Sequence, residues 1–204
     1  MAEEKKTLQI QNLQRTIIEL SMAFDATIEG FARAMDLREK EAEGHIKRVS
    51  ELTDQLAKGM GVNEADRLNI KRGAYLHDIG KMNIPDVILQ KPGILNDEEL
   101  SLVRMHPQYA YNLLFPIPYL YYALDIPYRH HEKWDGSGYP GGLKGKEIPL
   151  AARIFAVVDV WDALTSDRPY REAWSKEKAI EHIKSGSGTH FDPQVVKIFL
   201  LEHG

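Results

Sequence analysis

The stretch "IPLAARIFAVVDVWDALTS" (residues 148–166) is the most apolar in the chain and decides its fold class. The β-branched residues of "IFAVVDVW" would allow a strand, but the apolar positions fit a period of 3.6 and no neighbouring segment offers a partner strand. We therefore predict a buried helix. Asp159 interrupts its apolar residues where packing would favour Val or Leu. A carboxylate buried there needs a cation, either a metal ion or an arginine such as Arg153.

The rest of the chain also has helical patterns. Residues 8–35 form a long amphipathic helix, and further helices are predicted from about 41 to 58, before "AYLHDIGK", on both sides of Pro107, from about 119 to 131, and twice near the C-terminus. Residues 83–96 are rich in turn formers and read as a crossing segment with at most one helical turn. We expect an all-α bundle with an N-terminal helical extension (residues 1–40) and a main domain (41–204). The apolar stripe of the extension, which could pack on its own domain or on a second copy, contains Leu13, Ile17, Leu20, Phe24, Ile28, Phe31 and Met35.

Composition narrows the chemistry. The chain has 204 residues, a formal net charge of −4 and no cysteine. Thiolate metal sites, disulfides and cysteine nucleophiles are therefore excluded, and any metal must be held by imidazole and carboxylate. The acidic balance argues against DNA as a partner. No apolar run approaches the roughly 20 residues of a membrane span, and a cytoplasmic setting fits the lack of cysteine.

Histidines recur along the chain at helix-sized intervals. His45, the pair His77 and Asp78, and His106 are each separated by roughly 25 to 30 residues, as expected when a bundle builds a metal site from one side chain per helix. Taken alone, each is more simply a polar helix end. The adjacent His130 and His131 open the loop "HHEKWDGSGYPGG" (residues 130–142), whose glycines prevent a helix from continuing. Neighbouring residues on a helix point about 100° apart, so both imidazoles can face one site only where the helix ends.

In these segments the sequence resembles the HD-GYP subgroup of the HD metal-dependent phosphohydrolase superfamily. The matching motifs are "EAEGHIKRV", "LHDIGKMNIPD", "LQKPGILNDEE", "MHPQYA", "HHEKWDGSGYPGGLKGKEIPL", "ARIFAVVDVWDALTSDRPYR" and "SGTHFDP", which cover about residues 36–200 in order. The resemblance implies an HD-domain helical bundle that hydrolyses cyclic di-GMP with two or three divalent metal ions. Asp78 is the expected bridge between two ions, and the implied ligands are Glu41, His45, His77, Asp78, His106, His130, His131 and Asp159.

By the same resemblance, Glu41 matches the acidic ligand of family members that bind a third metal. Residues four apart share a helix face, which would place Glu41 beside His45, although a solvated charge in "REKEAEGH" is the alternative. Ligands of nitrogen and oxygen without sulfur suit Fe or Mn. Two such ions activate a water and neutralise phosphate charge in phosphodiester hydrolysis.

Other residues are implied to contact substrate. Lys81, one turn after Asp78, could reach the scissile phosphate and take part in catalysis. By resemblance, the nucleotide contacts a loop and a basic segment, namely Gly138, Tyr139, Pro140, Arg168 and Arg171. Guanidinium groups suit bidentate contacts with phosphate or guanine. A surface lysine and ordinary surface salt bridges are the alternatives for the basic residues.

Three functional hypotheses follow. The first is hydrolysis of cyclic di-GMP to pGpG and onward to GMP. The second is an enzyme for another cyclic dinucleotide, 3′,3′-cyclic GMP-AMP, and the third is a signalling or adaptor module with little turnover. The N-terminal helix resembles the connector that an upstream sensory domain would drive, and it is also a candidate homodimer surface.

Overall fold

The computed structural model describes residues 2–39, 42, 44–167 and 171–204. Within those residues the regular elements are helices, and the prediction of an all-α fold is confirmed. The α-helices are α1 (Ala2–Glu39), α2 (His45–Gly59), α3 (Glu64–Tyr75), α4 (Asp86–Leu89), α5 (Asp97–Val103), α6 (His106–Leu114), α7 (Asp125–Arg129), α8 (Leu150–Thr165), α9 (Lys176–Ser185) and α10 (Pro193–His203). Short 3₁₀ helices span Ile79–Asn83, Pro118–Ala123 and Gly145–Glu147.

Local sequence signals explain several helix ends. The Asn96 side chain accepts from the backbone N–H of Glu99, and the Glu99 carboxylate accepts from the N–H of Asn96, so a capping box starts α5. Asp192 caps α10, with Pro193 in the first position, as predicted. The apolar stretch is the helix α8, and the crossing segment contains only the single turn α4.

Two predicted helices differ from those observed. Helix α2 begins at His45, not near residue 41, after Gly44, which has a φ of 74° that favours glycine. The predicted helix over 119–131 is divided into a 3₁₀ helix and the short α7. Pro127 lies in the first turn of α7, where its missing N–H costs no helical hydrogen bond, so the helix starts just before it.

Two apolar clusters form the core. The larger surrounds α8 and contains Phe155, Val157, Phe191 and Phe199, all nearly inaccessible to solvent. The smaller joins the second half of α1 to α6 and to the segments before and after α6, through Ile28, Met35, Leu76, Ile79, Ala110, Leu114, Leu120 and Leu124. The predicted boundary after residue 40 stays a prediction, and the second half of α1 is part of this packing.

The apolar stripe of α1 is divided between two environments. Ile28 and Met35 are buried against the chain's own helices, which confirms packing within the chain for this half. Five other members of the predicted stripe are exposed, namely Leu13, Ile17, Leu20, Phe24 and Phe31. No helix in the described ranges is long and apolar enough to cross a membrane.

Polar contacts fix α1 against the segment that carries the HD pair. Buried Arg72 of α3 pairs with Asp25, with 2.6 Å between Nε and Oδ1, and donates to the Tyr119 hydroxyl. Near the end of α1, the guanidinium of Arg38 donates to the carbonyls of Lys81 at 3.0 Å and Ile84 at 2.7 Å. The end of α1 therefore holds the 3₁₀ turn that follows Asp78.

Candidate metal centre

Of the seven predicted ligands that the structure describes, six come from helix ends that meet at one place. His45 and His106 are the first residues of α2 and α6. His77 and Asp78 lie in the turn after α3, and the two adjacent histidines follow α7. Only Asp159 comes from a helix interior, in α8. Helix ends suit this purpose because adjacent side chains can turn toward one point where the helix stops.

The seven side chains form two ligand groups. In the first, one potential ligand atom from each of four residues lies within 4.8 Å of the others, and the members are Asp78, His106, His130 and His131. The second group, defined in the same way, contains His45, His77 and Asp159. We call them group one and group two. The end of the helix before His131 does bring both adjacent histidines into one group.

The carboxylate of Asp78 faces both groups. Its Oδ1 lies 3.3 Å from His106 Nε2 and 3.8 Å from His130 Nε2, both in group one. Its Oδ2 lies 2.9 Å from Nε2 of His77, which belongs to group two. One oxygen toward each group is the arrangement that a bridging carboxylate requires.

Gly80 allows α6 to approach this turn. A β-carbon at residue 80 would lie 1.9 Å from the carbonyl oxygen of His106 and 2.6 Å from the backbone nitrogen of Ala110. Neither backbone atom can move aside without moving α6. The glycine of "HDIGK" therefore has a packing reason, since it lets His106 reach Asp78.

The histidines of group one are held in the neutral form. Burial lowers the pKa of His106 and lowers that of His130 well below its usual value. Burial, followed by the neighbouring His106, lowers the pKa of His131 to about 3. A neutral imidazole has the free lone pair that a metal ion needs, so these three nitrogens are ready to bind without losing a proton.

Group two has a different charge balance. Burial opposes a positive charge on His77, but the Asp78 carboxylate outweighs it and raises the pKa of His77 to about 9. Burial also raises the pKa of Asp159. In the absence of an ion, His77 is therefore protonated at neutral pH, and an ion binding at group two must displace that proton.

Lys81 lies beside the centre between two carboxylates. Its Nζ is 2.7 Å from Asp78 Oδ2 and 2.6 Å from Glu39 Oε2. Burial opposes the charge of the ammonium, yet Asp78 and Glu39 together raise the pKa of Lys81 above its ordinary value. Burial raises the pKa of Glu39 to about 7, and its Oε1 is buried without a hydrogen-bond partner among the described atoms.

The glycine loop is anchored from within. The buried Glu132 carboxylate accepts from the backbone N–H of Gly141 at 2.7 Å and of Leu143 at 3.0 Å. A β-carbon on Gly138 would lie 2.3 Å from the backbone nitrogen of Lys133, so this glycine is required by close backbone packing. The ring of Tyr139 stacks on His131, with 4.7 Å between centroids, and its peptide bond to Pro140 is cis. The loop therefore covers the edge of group one.

The donor set fits divalent metal ions. The two groups combine imidazole nitrogens and carboxylate oxygens, and the sequence has no cysteine that could supply a thiolate. Such mixed sets suit Fe, Mn and similar ions. Buried neutral imidazoles that converge on one point, with a carboxylate between them, have no evident role in packing alone.

The comparisons with known proteins agree with this geometry. Residues 29–195 match the HD domain family. The chain belongs to the HD domain family. The HD pair of this chain is His77 and Asp78, one residue in each ligand group. The resemblance inferred from the sequence is thereby confirmed.

Relatives of this HD domain are named as phosphodiesterases. The chain is 39% identical, over 93% of its length, to the cyclic di-GMP phosphodiesterase response regulator RpfG of Xanthomonas campestris pv. campestris, of which it covers 51%. It is 38% identical, over 92% of its length, to 3'3'-cGAMP-specific phosphodiesterase 2 of Vibrio cholerae, of which it covers 36%. The chain thus spans about half or less of these relatives. The HDG"Y"P protein Bd1817 of Bdellovibrio bacteriovorus has the same fold, with a TM-score of 0.62 at 22% identity over 78% of this chain and 51% of that one.

Three predicted site residues of the HD domain are not placed with the two groups. Glu41 and Arg168 lie outside the described residues. Ala42 is not helical and α2 starts at His45, and the ligand role of Glu41 stays a prediction. Arg171 donates to the carbonyl of Ala163 near the end of α8, and its guanidinium lies 5.8 Å from the Trp174 ring.

One alternative from the sequence is wrong. Arg153 does not pair with Asp159, because its Nη1 lies 2.5 Å from Oδ2 of Asp192, the cap of α10. Asp159 is left to face His45 and His77. The metal-ligand interpretation of Asp159 therefore keeps its support, and the pairing with Arg153 does not.

Sequence reasoning missed three residues around the centre of the HD domain. Glu39 could have been found by extending the buried α1 stripe of Ala32 and Met35 by four residues. Glu132 follows the two histidines directly, and a buried carboxylate at this position needs hydrogen-bond donors, which the backbone of the glycine loop supplies. Asp162 lies one turn after Asp159, and its Oδ2 is 2.7 Å from Nδ1 of His45.

Proposed function

We propose that this HD domain is a metal-dependent phosphodiesterase that hydrolyses cyclic di-GMP to pGpG, and then to GMP. The observation that carries the proposal is the arrangement of Asp78, with one carboxylate oxygen toward each ligand group. A second support is that two relatives, 38–39% identical over more than nine-tenths of this chain, are named as cyclic dinucleotide phosphodiesterases.

In this proposal the ligands of two ions are the seven side chains of groups one and two. Fe or Mn is the metal we expect, and bound ions would neutralise phosphate charge and activate water. The chain's own residues hold the ions and orient the substrate. A third ion at Glu41 stays a prediction, since that residue lies outside the described residues.

Lys81 is proposed to contact the scissile phosphate. Its ammonium lies beside Asp78 and keeps its charge because two carboxylates flank it. An anionic phosphate entering the site would be attracted to this charge and would compete with Glu39 for it. Lys81 therefore contributes charge to the transition state and does not act as a base.

The loop of Gly138, Tyr139 and Pro140 is proposed to meet the nucleotide at the edge of group one. Tyr139 covers His131, and the guanidinium of Arg104 lies 5.6 Å from the centre of its ring. Contacts of Arg168 and Arg171 with guanine or phosphate stay predictions. A flat base beside an aromatic ring is a common means of nucleotide binding.

The second candidate substrate is 3′,3′-cyclic GMP-AMP. It is favoured by the relative from Vibrio cholerae, which is named for cGAMP and is about as similar as the cyclic di-GMP relative. An adaptor module with little turnover is the third candidate. Loss of a ligand would favour it, but all seven side chains of the two groups are present.

The test measures bound metal and turnover on the same protein. Protein purified without oxygen is analysed for metal, loaded with Fe(II) or Mn(II), and given cyclic di-GMP or cyclic GMP-AMP, with products resolved by chromatography. We expect pGpG and then GMP from cyclic di-GMP. Faster cleavage of cyclic GMP-AMP would favour the second candidate, and metal binding without cleavage of either would favour the adaptor.

The partner proposals concern α1. We propose that its exposed apolar residues pack against the same helix of a second copy, since Ile10, Leu13, Ile17, Leu20 and Phe24 recur at alternating steps of three and four. A parallel pair of such helices could connect to an upstream sensory domain. Light scattering should give a dimer mass for the wild type and a monomer mass for Leu13→Asn/Leu20→Asn. A cytoplasmic location also stays a prediction.

A further inference from the structure

The ligand histidines differ in what holds their second ring nitrogen. Nδ1 of His77 lies 2.9 Å from the carbonyl of Ala74, that of His106 lies 2.8 Å from Val103, and that of His130 lies 2.9 Å from Ile126. A carbonyl can only accept, so in each case Nδ1 carries the proton. Nε2 is then the nitrogen available to an ion.

His45 has a carboxylate in place of the carbonyl. Its Nδ1 lies 2.7 Å from Oδ2 of Asp162, and both side chains are buried, with 3% and 6% of their surfaces exposed. Asp162 is in turn held by Nε of Arg48 at 2.5 Å and by the Ser166 hydroxyl at 3.3 Å. The carboxylate is thus fixed on both sides and cannot turn toward group two as a ligand.

We propose that Asp162 is a positioning residue for His45 at group two. It keeps the proton of His45 on Nδ1, fixes the plane of the ring, and directs Nε2 toward His77 and Asp159. A carboxylate also makes the opposite nitrogen a stronger donor than a carbonyl does, which raises the affinity for a metal ion. Among the described residues group two has three members, one fewer than group one, so it gains more from such support.

The two aspartates of α8 therefore have different roles. Asp159 presents a ligand oxygen, whereas Asp162, three residues later, acts through His45. The competing explanation is that Asp162 only joins α2 to α8 through its ion pair with Arg48. The two explanations differ in whether the effect of Asp162 depends on His45.

The experiment counts Mn(II) bound to the full chain, using the electron paramagnetic resonance signal of free Mn(II). Asp162→Asn should weaken binding at one site by about 10- to 100-fold and leave the other unchanged. Arg48→Met removes the ion pair but keeps the contact to His45, and it should change the affinity by less than about threefold. Asp162→Glu, which keeps the negative charge, should bind Mn(II) more tightly than Asp162→Asn and less tightly than the wild type.

The decisive comparison adds Asp162→Asn to His45→Ala. If Asp162 acts through His45, the double variant binds Mn(II) no more weakly than His45→Ala alone. A further loss of tenfold, or equal losses for Asp162→Asn and Arg48→Met, would overturn the proposal. Thermal unfolding of metal-free protein separates these effects from loss of the fold, and His45→Ala with and without Asp162→Glu repeats the comparison if Asp162→Asn does not fold.

The inference rests on the proposed function only in assuming that ions occupy both groups. Its readout is metal affinity, not turnover. A protein that binds two Mn(II) ions as expected but cleaves neither nucleotide would contradict the proposed function and leave the role of Asp162 intact. A wild-type protein with a single Mn(II) site that is insensitive to Asp162→Asn would overturn the role of Asp162.

Discussion

The two ligand groups differ in how their imidazoles become ready for an ion. Group one has three histidines whose pKa values are lowered by burial, so all are neutral before an ion arrives. Group two has His77, which Asp78 keeps protonated although burial opposes the charge, and His45, which a carboxylate orients. Group one is therefore ready to bind, whereas group two must first lose a proton.

This difference predicts an order of binding. An ion should enter group one first, because it meets four donors and displaces no proton from a histidine. Its positive charge next to Asp78 would weaken the hold of that carboxylate on the proton of His77. The first ion would thereby favour binding of the second at group two, with Asp78 as the residue that couples the two groups.

The largest effect is expected from Asp78→Ala, which removes the residue shared by both groups. Both ions should be lost, and turnover of cyclic di-GMP should fall by at least about 10³-fold, as when a member of a catalytic unit is removed. Metal analysis and product chromatography measure the two effects. Full metal retention by this variant would contradict the bridging position of Asp78.

A matched control for that variant is Asp54→Ala. Asp54 is also an aspartate in an ion pair, with Oδ2 3.1 Å from Nη1 of Arg67, but it belongs to neither group. Its replacement should leave metal content and turnover unchanged. A similar loss in both variants would mean that Asp78 acts on the stability of the fold.

A smaller effect should follow when one group is changed at a time. His106→Ala removes a donor of group one and His45→Ala removes a donor of group two, so each should weaken the binding of one ion without abolishing it and lower turnover by about 10²-fold. According to the order of binding, His106→Ala should also weaken the ion of group two, but His45→Ala should leave group one intact. Mn(II) titration of both variants checks this asymmetry, and equal effects on both sites would contradict it.

The sequence predicted the positions of these residues better than their surroundings. The resemblance to a known family named all seven side chains of the two groups, whereas the residues taken alone left a polar helix end as the simpler interpretation, except for Asp159 within an apolar helix. Their division into two groups could not be predicted, since it depends on distances between helices far apart in sequence. Glu132 and Asp162 were missed because a carboxylate that holds a loop or orients another side chain has no spacing rule of its own, whereas Glu39 continues the buried stripe of α1.

The same reasoning explains the errors in the helices. Periodicity placed the long helix and α8 correctly, because their apolar faces pack on the core. It placed the start of α2 too early, because the polar residues before His45 are compatible with a helix. The left-handed backbone of Gly44, which sets the start of α2, leaves no periodic signal. Apolar periodicity also could not separate the buried half of α1 from its exposed half.

Tyr139→Ala should affect substrate binding at group one but not the ions. The ring stacks on His131 without being a ligand, and its removal opens the edge of the site. We expect metal content to be unchanged and KM for cyclic di-GMP to rise about tenfold, the cost of about one stacked base. Loss of one ion would instead mean that the ring is needed to hold His131 in place.

The smallest effect is expected at His190, which lies outside both groups but also has a lowered pKa. Burial, followed by the charges of Lys133 and His182, lowers the pKa of this imidazole to about 4. Its ring stacks on Phe191, with 4.2 Å between centroids. His190 therefore separates two properties that coincide in group one, namely a neutral imidazole and convergence with other donors.

The lowered pKa of His190 makes the stability of the fold depend on pH, and the sign of this dependence follows from proton binding. Below the ordinary pKa of about 6.5, the unfolded chain takes up a proton on His190 that the folded chain refuses until about pH 4, so stability falls as the pH drops through this range. Because the ring is partly exposed, we expect only about 1 kcal/mol between pH 7 and pH 5. Between pH 7 and pH 5, the free energy of unfolding of His190→Gln, measured in urea on metal-free protein, should fall by about 1 kcal/mol less than that of the wild type.

His190→Gln should bind Mn(II) as the wild type does, because a neutral imidazole without converging donors makes no metal site. A weakened affinity would mean that the groups extend farther than Asp78 and its neighbours.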